Sequence, residues 1–196
     1  MELKDYSFRK EIISLVIASL VMGFIFTFRD WGYEKFSLNI GLINLFRAVL
    51  ISFILFSVYL VATKSVAKLH GAASTFKIWG MERFWFSKDA KIHHLSFFGK
   101  RFRTFKAGIF FPLLFAFFSN GLIRLATISY TEVNELGPHR AGKRYKNLTN
   151  FEFSRIHLAG PMSLLLLTVL LSSIESFSTL IEISKLILIY SFVPLS

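Results

Sequence analysis

Tyr59-Leu60-Val61-Ala62-Thr63-Lys64-Ser65-Val66-Ala67-Lys68-Leu69-His70-Gly71-Ala72 closes an apolar run that begins at Ile40. Between residues 40 and 62 the only charge is Arg47, whereas from Lys64 onward the chain turns basic. A run of this length crosses a hydrocarbon core of roughly 30 Å at about 1.5 Å per residue. The stretch therefore reads as the end of a membrane span meeting a charged surface, and that reading decides the class of fold.

Four more apolar runs bounded by charge lie at 11–28, 107–129, 156–174 and 177–195. Hydrophobic residues make up 54% of the chain, with 24 phenylalanines, and the mean hydropathy is +0.55. These values point away from a water-soluble domain. The expected fold is an all-α polytopic membrane protein forming a single integral membrane domain over 1–196. It has about four transmembrane helices, near 11–28, 40–62, 156–174 and 177–195, and a re-entrant half-helix and strand segment at 107–133. A basic interfacial segment covers 63–106.

The formal charge is +11, and ten of the 23 basic residues fall between Thr63 and Lys106. Basic residues beside membrane spans are retained on the cytoplasmic side and take anionic headgroups as counter-charge. The expected partner is thus a lipid bilayer with anionic headgroups rather than nucleic acid. The chain is placed in the cell membrane as a multi-pass protein, with its N-terminus and the basic loops 63–106 and 134–155 in the cytoplasm. Phe76, Trp79, Phe84, Trp85, Phe86, Phe97, Phe98, Phe102 and Phe105 read as aromatic anchors among the lysines of the first loop.

Lys4, Arg9 and Lys10 precede the first run as they would in a secretory signal, but Phe28-Arg29-Asp30-Trp31 follows it without a small-residue cleavage site. An uncleaved first helix is the reading adopted. Asn44 and Arg47 sit near the start of the second span, where an Arg snorkels to nearby headgroups. A buried Arg facing a carboxylate is the alternative.

Residues 107–129 decide the topology. A single crossing would put Arg140, Lys143, Arg144, Lys146 and Arg155 outside, against the positive-inside tendency. Ser119-Asn120-Gly121 supplies a turn, Pro112 weakens a continuous helix, and residues 122–133 have strand character. Re-entry is the expected course.

The 59–72 stretch resembles the active-site helix of the site-2 protease family, intramembrane zinc metalloproteases, in its archaeal-type members. There the first positions read His-Glu-x-x-His, with an Ala further on and a closing Gly-Ala. Here Tyr59, Leu60 and Thr63 occupy the places of the two histidines and the glutamate, while Gly71-Ala72 remains. Histidines at i and i+4 chelate zinc from one helix face, and the glutamate activates the bound water. A phenol, a branched alkane and a hydroxyl do not replace them as a set.

A second likeness runs from Arg140 through Glu152 to Ala159-Gly160-Pro161 and Leu164. It is similar to the basic loop, Glu and Ala-Gly-Pro that open a core helix in these proteases, with Leu164 where the family has Asn. Small residues also let helices pack closely, and Pro is tolerated near a helix start. The last run ends in Tyr190-Ser191-Phe192-Val193-Pro194, where the family reads Phe-Asn-Leu-Leu-Pro ahead of an Asp that is the third zinc ligand. The resemblance implies a membrane-dipping strand that engages an extended substrate. It places a possible groove at Asn120, Gly121, Gly160, Pro161 and Leu164, with no catalytic residue and no metal ligand.

His70, His93, His94, His139 and His157 read as surface or interfacial histidines, and Glu182 with Lys185 as an i, i+3 pair. With no cysteine there is no disulfide and no thiolate site. Neither a Gly-rich phosphate loop nor a serine-protease elbow is present. The expected function is a catalytically inactive, site-2-protease-like protein that binds a transmembrane segment or partner protein without a cofactor. The rivals are an active intramembrane zinc metalloendopeptidase, which would need zinc, and a small transporter-like helical bundle.

Overall fold

The computed structural model describes residues 2–31, 36–80, 95–97, 100–102, 106–126, 128–135, 148–171 and 178–191. Helix α1 covers Glu2–Thr27 and α2 covers Leu38–Leu69, followed at once by strand β1, Ala72–Ile78. Short strands β2, Leu95–Phe97, and β3, Lys100–Phe102, form a hairpin. Helix α3, Ala107–Phe118, leads to strand β4, Ser129–Glu135, and the chain continues through α4, Asn150–Leu171, and α5, Ser178–Ser191. The fold is mostly helical, and the segments Phe8–Thr27, Leu38–Leu69 and Asn150–Leu170 are long and apolar enough to cross a membrane.

Of these three, α1 is the central one. It contributes Leu15, Ala18, Val21, Met22, Ile25 and Phe26 to a core shared with Leu55, Phe56, Phe76, Ile128, Leu164 and Ile183. By contrast, α2 and α4 leave Leu42, Ile43, Phe46, Leu165, Leu166 and Val169 exposed. An apolar surface of that extent is a lipid-facing one. Gly23 lets α1 and α2 approach, since a Cβ there would meet Val49 at 2.5 Å.

The fourth expected span rests on α5, whose described 14 residues reach only about 21 Å at 1.5 Å per residue. Its neighbours on both sides lie outside the described residues. The basic interfacial segment is corrected at its start. Residues 63–69 continue α2, because nothing in Thr63 to Leu69 breaks a helix, and Gly71 at φ +68° then ends it with a left-handed residue. Phe76 is no interfacial anchor either: it is 2% exposed and packs edge-on against Phe56. Phe84, Trp85, Phe86, Phe98 and Phe105, with His93, His94 and His139, fall outside the described residues.

The expected start of the 156–174 span also moves. Thr149 caps α4 reciprocally, its hydroxyl accepting from Glu152 N at 3.3 Å while the Glu152 carboxylate accepts from Thr149 N at 3.0 Å. This capping box starts the helix six residues early. Pro161 consequently sits in mid-helix rather than near its start, where it leaves one backbone carbonyl without its usual donor.

Strands β1 and β4 pair antiparallel from Ala72↔Glu135 to Ile78↔Ser129. Just beyond that ladder, Trp79 N donates to Ile128 O at 3.0 Å and Gly108 N donates to Trp79 O at 2.9 Å. The segment thus leaves along α3 and returns to the level at which it started. Between the two arms, Asn120 N donates to Phe117 O and Gly121 N to Ala116 O, with φ +50° and +73° at Asn120 and Gly121. These bonds form a Schellman motif that ends α3 and reverses the chain.

Candidate functional site

The ring of Tyr59 occupies the space beside Gly160 into which any side chain there would project. This contact joins α2 to α4 and brings together the two stretches singled out in the sequence. Thr63, one turn on, is fully buried, and its hydroxyl donates to Tyr59 O at 2.9 Å. Leu60 packs against the main core, and Leu164 lies wholly within it. Pro161 is buried next to Gly160.

Asn120 and Gly121 are elsewhere. Gly121 packs on Phe28 and Arg29, past the far end of α1. From the Glu11 end of that helix, this is about 27 Å away at 1.5 Å per residue. The residues expected to line a groove thus lie apart: Gly160 packs on Tyr59, Pro161 and Leu164 are buried on the same helix, and the Asn120-Gly121 turn sits at the far end of α1. Sequence order does not encode the depth to which α3 travels.

Glu11 is a residue that the sequence reading passed over. It is 7% exposed, and its two oxygens hold two elements: Oε2 accepts from Lys64 Nζ of α2 at 2.6 Å, and Oε1 accepts from Phe76 N of β1 at 3.0 Å. A buried carboxylate needs this satisfaction. A lone Glu at the head of an apolar run was the available signal.

The Phe76 bond also fixes which way the ladder faces. In an antiparallel pair, residues alternate between those that bond to the partner strand and those whose N–H and C=O point outward. Phe76 N points outward to Glu11, while Trp79 N points inward to Ile128 O. Even-numbered residues of β1 therefore face α1, and Ser129, Thr131, Val133 and Glu135 present their backbone to the opposite edge, that of β4. The sheet has two strands, and among the described residues the outward backbone groups of Thr131 and Val133 meet no partner. One edge is closed by α1 and Glu11; the other is left unpaired by the described residues.

The inner face of this sheet carries hydroxyls. Ser74 and Thr131 are diagonal neighbours on it, 4% and 8% exposed, and neither Oγ atom completes a hydrogen bond. The Tyr59 phenol is near enough to interact with the Thr131 hydroxyl but falls short of hydrogen-bond geometry. On the outer face Lys77 pairs with Glu132, and the hydrogen bond from this neighbour raises the Lys77 pKa above its usual value, against a smaller lowering by burial.

At the same end of the molecule, His70 Nδ1 lies 3.5 Å from Glu152 Oε1, tying the end of α2 to the start of α4. His157 contacts its own helix, with Nδ1 3.0 Å from Phe153 O. Glu182 lies 3.9 Å from Arg124 rather than against Lys185, and Arg124 also covers the Phe26 ring. Arg47 is exposed on α2, and Asn44 donates to Asp30 O at 2.9 Å. Among the described residues no three His, Cys, Asp or Glu side chains gather as a metal-holding group. Comparison with protein-family models, curated proteins and solved structures finds no match.

Proposed function

We propose that this chain is a membrane protein of site-2-protease-like build that holds an extended stretch of a transmembrane partner without cutting it. The observation that carries the reading is the edge of β4 that no described strand covers, beside the Tyr59–Gly160 junction. Unpaired backbone groups away from water cost free energy until a partner meets them. An added strand supplies donors and acceptors in register with those of Thr131 and Val133. The closed β1 edge makes the docking one-sided.

The positions that would bind and use zinc carry Tyr59, Leu60 and Thr63, whose structural roles are a ring packed on Gly160, a core contact and a helix-backbone hydrogen bond. The direct packing of the 59–72 stretch on Gly160 favours this build over an unrelated transporter-like bundle. Arg9, Lys10, Lys64, Lys68 and Arg155 gather at the end where α1 starts, α2 ends and α4 starts. That end is read as the cytoplasmic one, against anionic headgroups of the cell membrane.

The test uses a transmembrane peptide of about 20 Leu, Val and Gly residues carrying one central cysteine, and the Asn134→Cys chain in lipid nanodiscs. The expected result is an oxidative cross-link at position 134, none with a Lys77→Cys chain, and an intact peptide with zinc added. Disulfide formation needs Cβ atoms within about 4.5 Å, so it reports the adjacent strand alone. Zinc-dependent cleavage would establish the metalloendopeptidase instead.

A further inference from the structure

Ser74 Oγ and Thr131 Oγ1 are more than nine-tenths buried, share one face of the β1–β4 ladder, and lack hydrogen-bond partners. Several helix hydroxyls are satisfied by their own backbone: Ser19 by Leu15 O, Thr27 by Gly23 O, Thr63 by Tyr59 O and Thr168 by Leu164 O, whereas Ser52 Oγ on α2 is buried without a partner. Strand residues have no such i−4 carbonyl within reach. Thr75 Oγ1 is also without a partner but lies on the outer face, so among the described residues Ser74 and Thr131 are the two such hydroxyls that share the inner face of the ladder, and the Tyr59 phenol adjoins one of them.

We infer that Ser74, Thr131 and Tyr59 form a binding site for one small hydrogen-bonding group. Two neighbouring hydroxyls on one face, with a phenol beside one of them, suit a group that both donates and accepts. In the chain alone that group is a water molecule. When a strand lies along β4, its inward-pointing side chains share the face of Thr131 and Val133, so one of them reaches the same place. A hydroxyl or side-chain amide there replaces the water. This second part rests on the docking reading and narrows it: the partner is an apolar segment with one polar residue opposite Thr131.

The alternative to a filled site is an empty one, and the two differ in sign. Removing a hydroxyl that has no partner relieves a desolvation penalty, while removing one that holds a water breaks a hydrogen bond. For the lone chain in nanodiscs, Thr131→Val and Ser74→Ala are expected to lower Tm by roughly 2–4 °C each. Thr131→Ser, which keeps the hydroxyl, is expected to stay near the parent. An unchanged or raised Tm in Thr131→Val and Ser74→Ala would show the site to be empty and overturn the inference.

The partner arm compares two cysteine-bearing peptides of the kind used above, one with a single Gln near its centre and one with Leu at that place. Cross-linking to Asn134→Cys is expected to be several-fold greater for the Gln peptide, and the difference to vanish in the Ser74→Ala/Thr131→Val background. Equal yields would refute recognition of a polar side chain. Absence of cross-linking by either peptide would refute the docking reading while the Tm comparison still decides the water site.

Discussion

The Tyr59 ring and the Gly160 backbone fill one another's space, so the α2–α4 junction admits no side chain at position 160. Gly160→Ala should therefore destabilise the protein by roughly 1–3 kcal/mol through overpacking. Tyr59→Ala in the same chain should return part of that loss. Thermal unfolding of the four members of the double-mutant cycle measures the coupling, and simple additivity would mean that the two residues do not compete for this space.

Glu11 makes a sharper comparison. Glu11→Gln keeps an acceptor for Phe76 N, whereas Glu11→Ala leaves that N–H buried and unpaired. The alanine variant should be the less stable of the two, by about 1–3 kcal/mol. Equal stability would show that the carboxylate serves Lys64 alone.

Installing a His-Glu-x-x-His sequence at residues 59–63 should not create a protease. Tyr59→His, Leu60→Glu and Thr63→His together supply two of the three protein ligands usual at a catalytic zinc, and Thr63 and Leu60 are packed positions. We expect a less stable chain that leaves a model transmembrane substrate intact in added zinc. Metal-dependent cleavage by this variant would reveal a third ligand within these residues.

The junction of Trp79, Gly108 and Ile128 returns the 107–128 segment to its starting level. Cysteines at Lys88 and Lys143, in this cysteine-free chain, should accordingly be labelled by an impermeant reagent from the same side. Labelling from opposite sides would establish a full crossing between them.

The Lys77–Glu132 pair has a defined pH window. Because pairing raises the folded-state pKa of Lys77, its contribution is complete below the unfolded lysine value of about 10.4 and is lost as pH rises through the folded value. The side chains are 50% and 38% exposed, so the effect stays under about 1 kcal/mol. Lys77→Met should leave the stability profile between pH 6 and 9 unchanged in shape, as checked by urea titration. A slope appearing in that range would assign the titration to another group.

The spanning helices were legible because apolar length is written locally in the chain. So was the turn at Ser119-Asn120-Gly121, which needs residues tolerant of positive φ. Strand β1 was missed because Lys77 and Phe76 resemble a surface segment in composition. Its alternation, with Ala72, Ser74 and Phe76 buried and Ala73, Thr75 and Lys77 less so, was the readable signal. The pairing of β1 with β4, the burial of Glu11 and the distance of Asn120 from Gly160 arise from tertiary contacts among residues far apart in sequence. No local pattern specifies them.

Because α1 supplies the inner wall of the core, it is the helix against which α2, β1 and α3 all settle. The buried Glu11 awaits Lys64 and then Phe76 in the order of their synthesis. Assembly in this chain can thus proceed by successive addition to a template. A fault in α1 is therefore felt by α2, β1 and α3 together, whereas a fault in α5 reaches mainly α4 and α2.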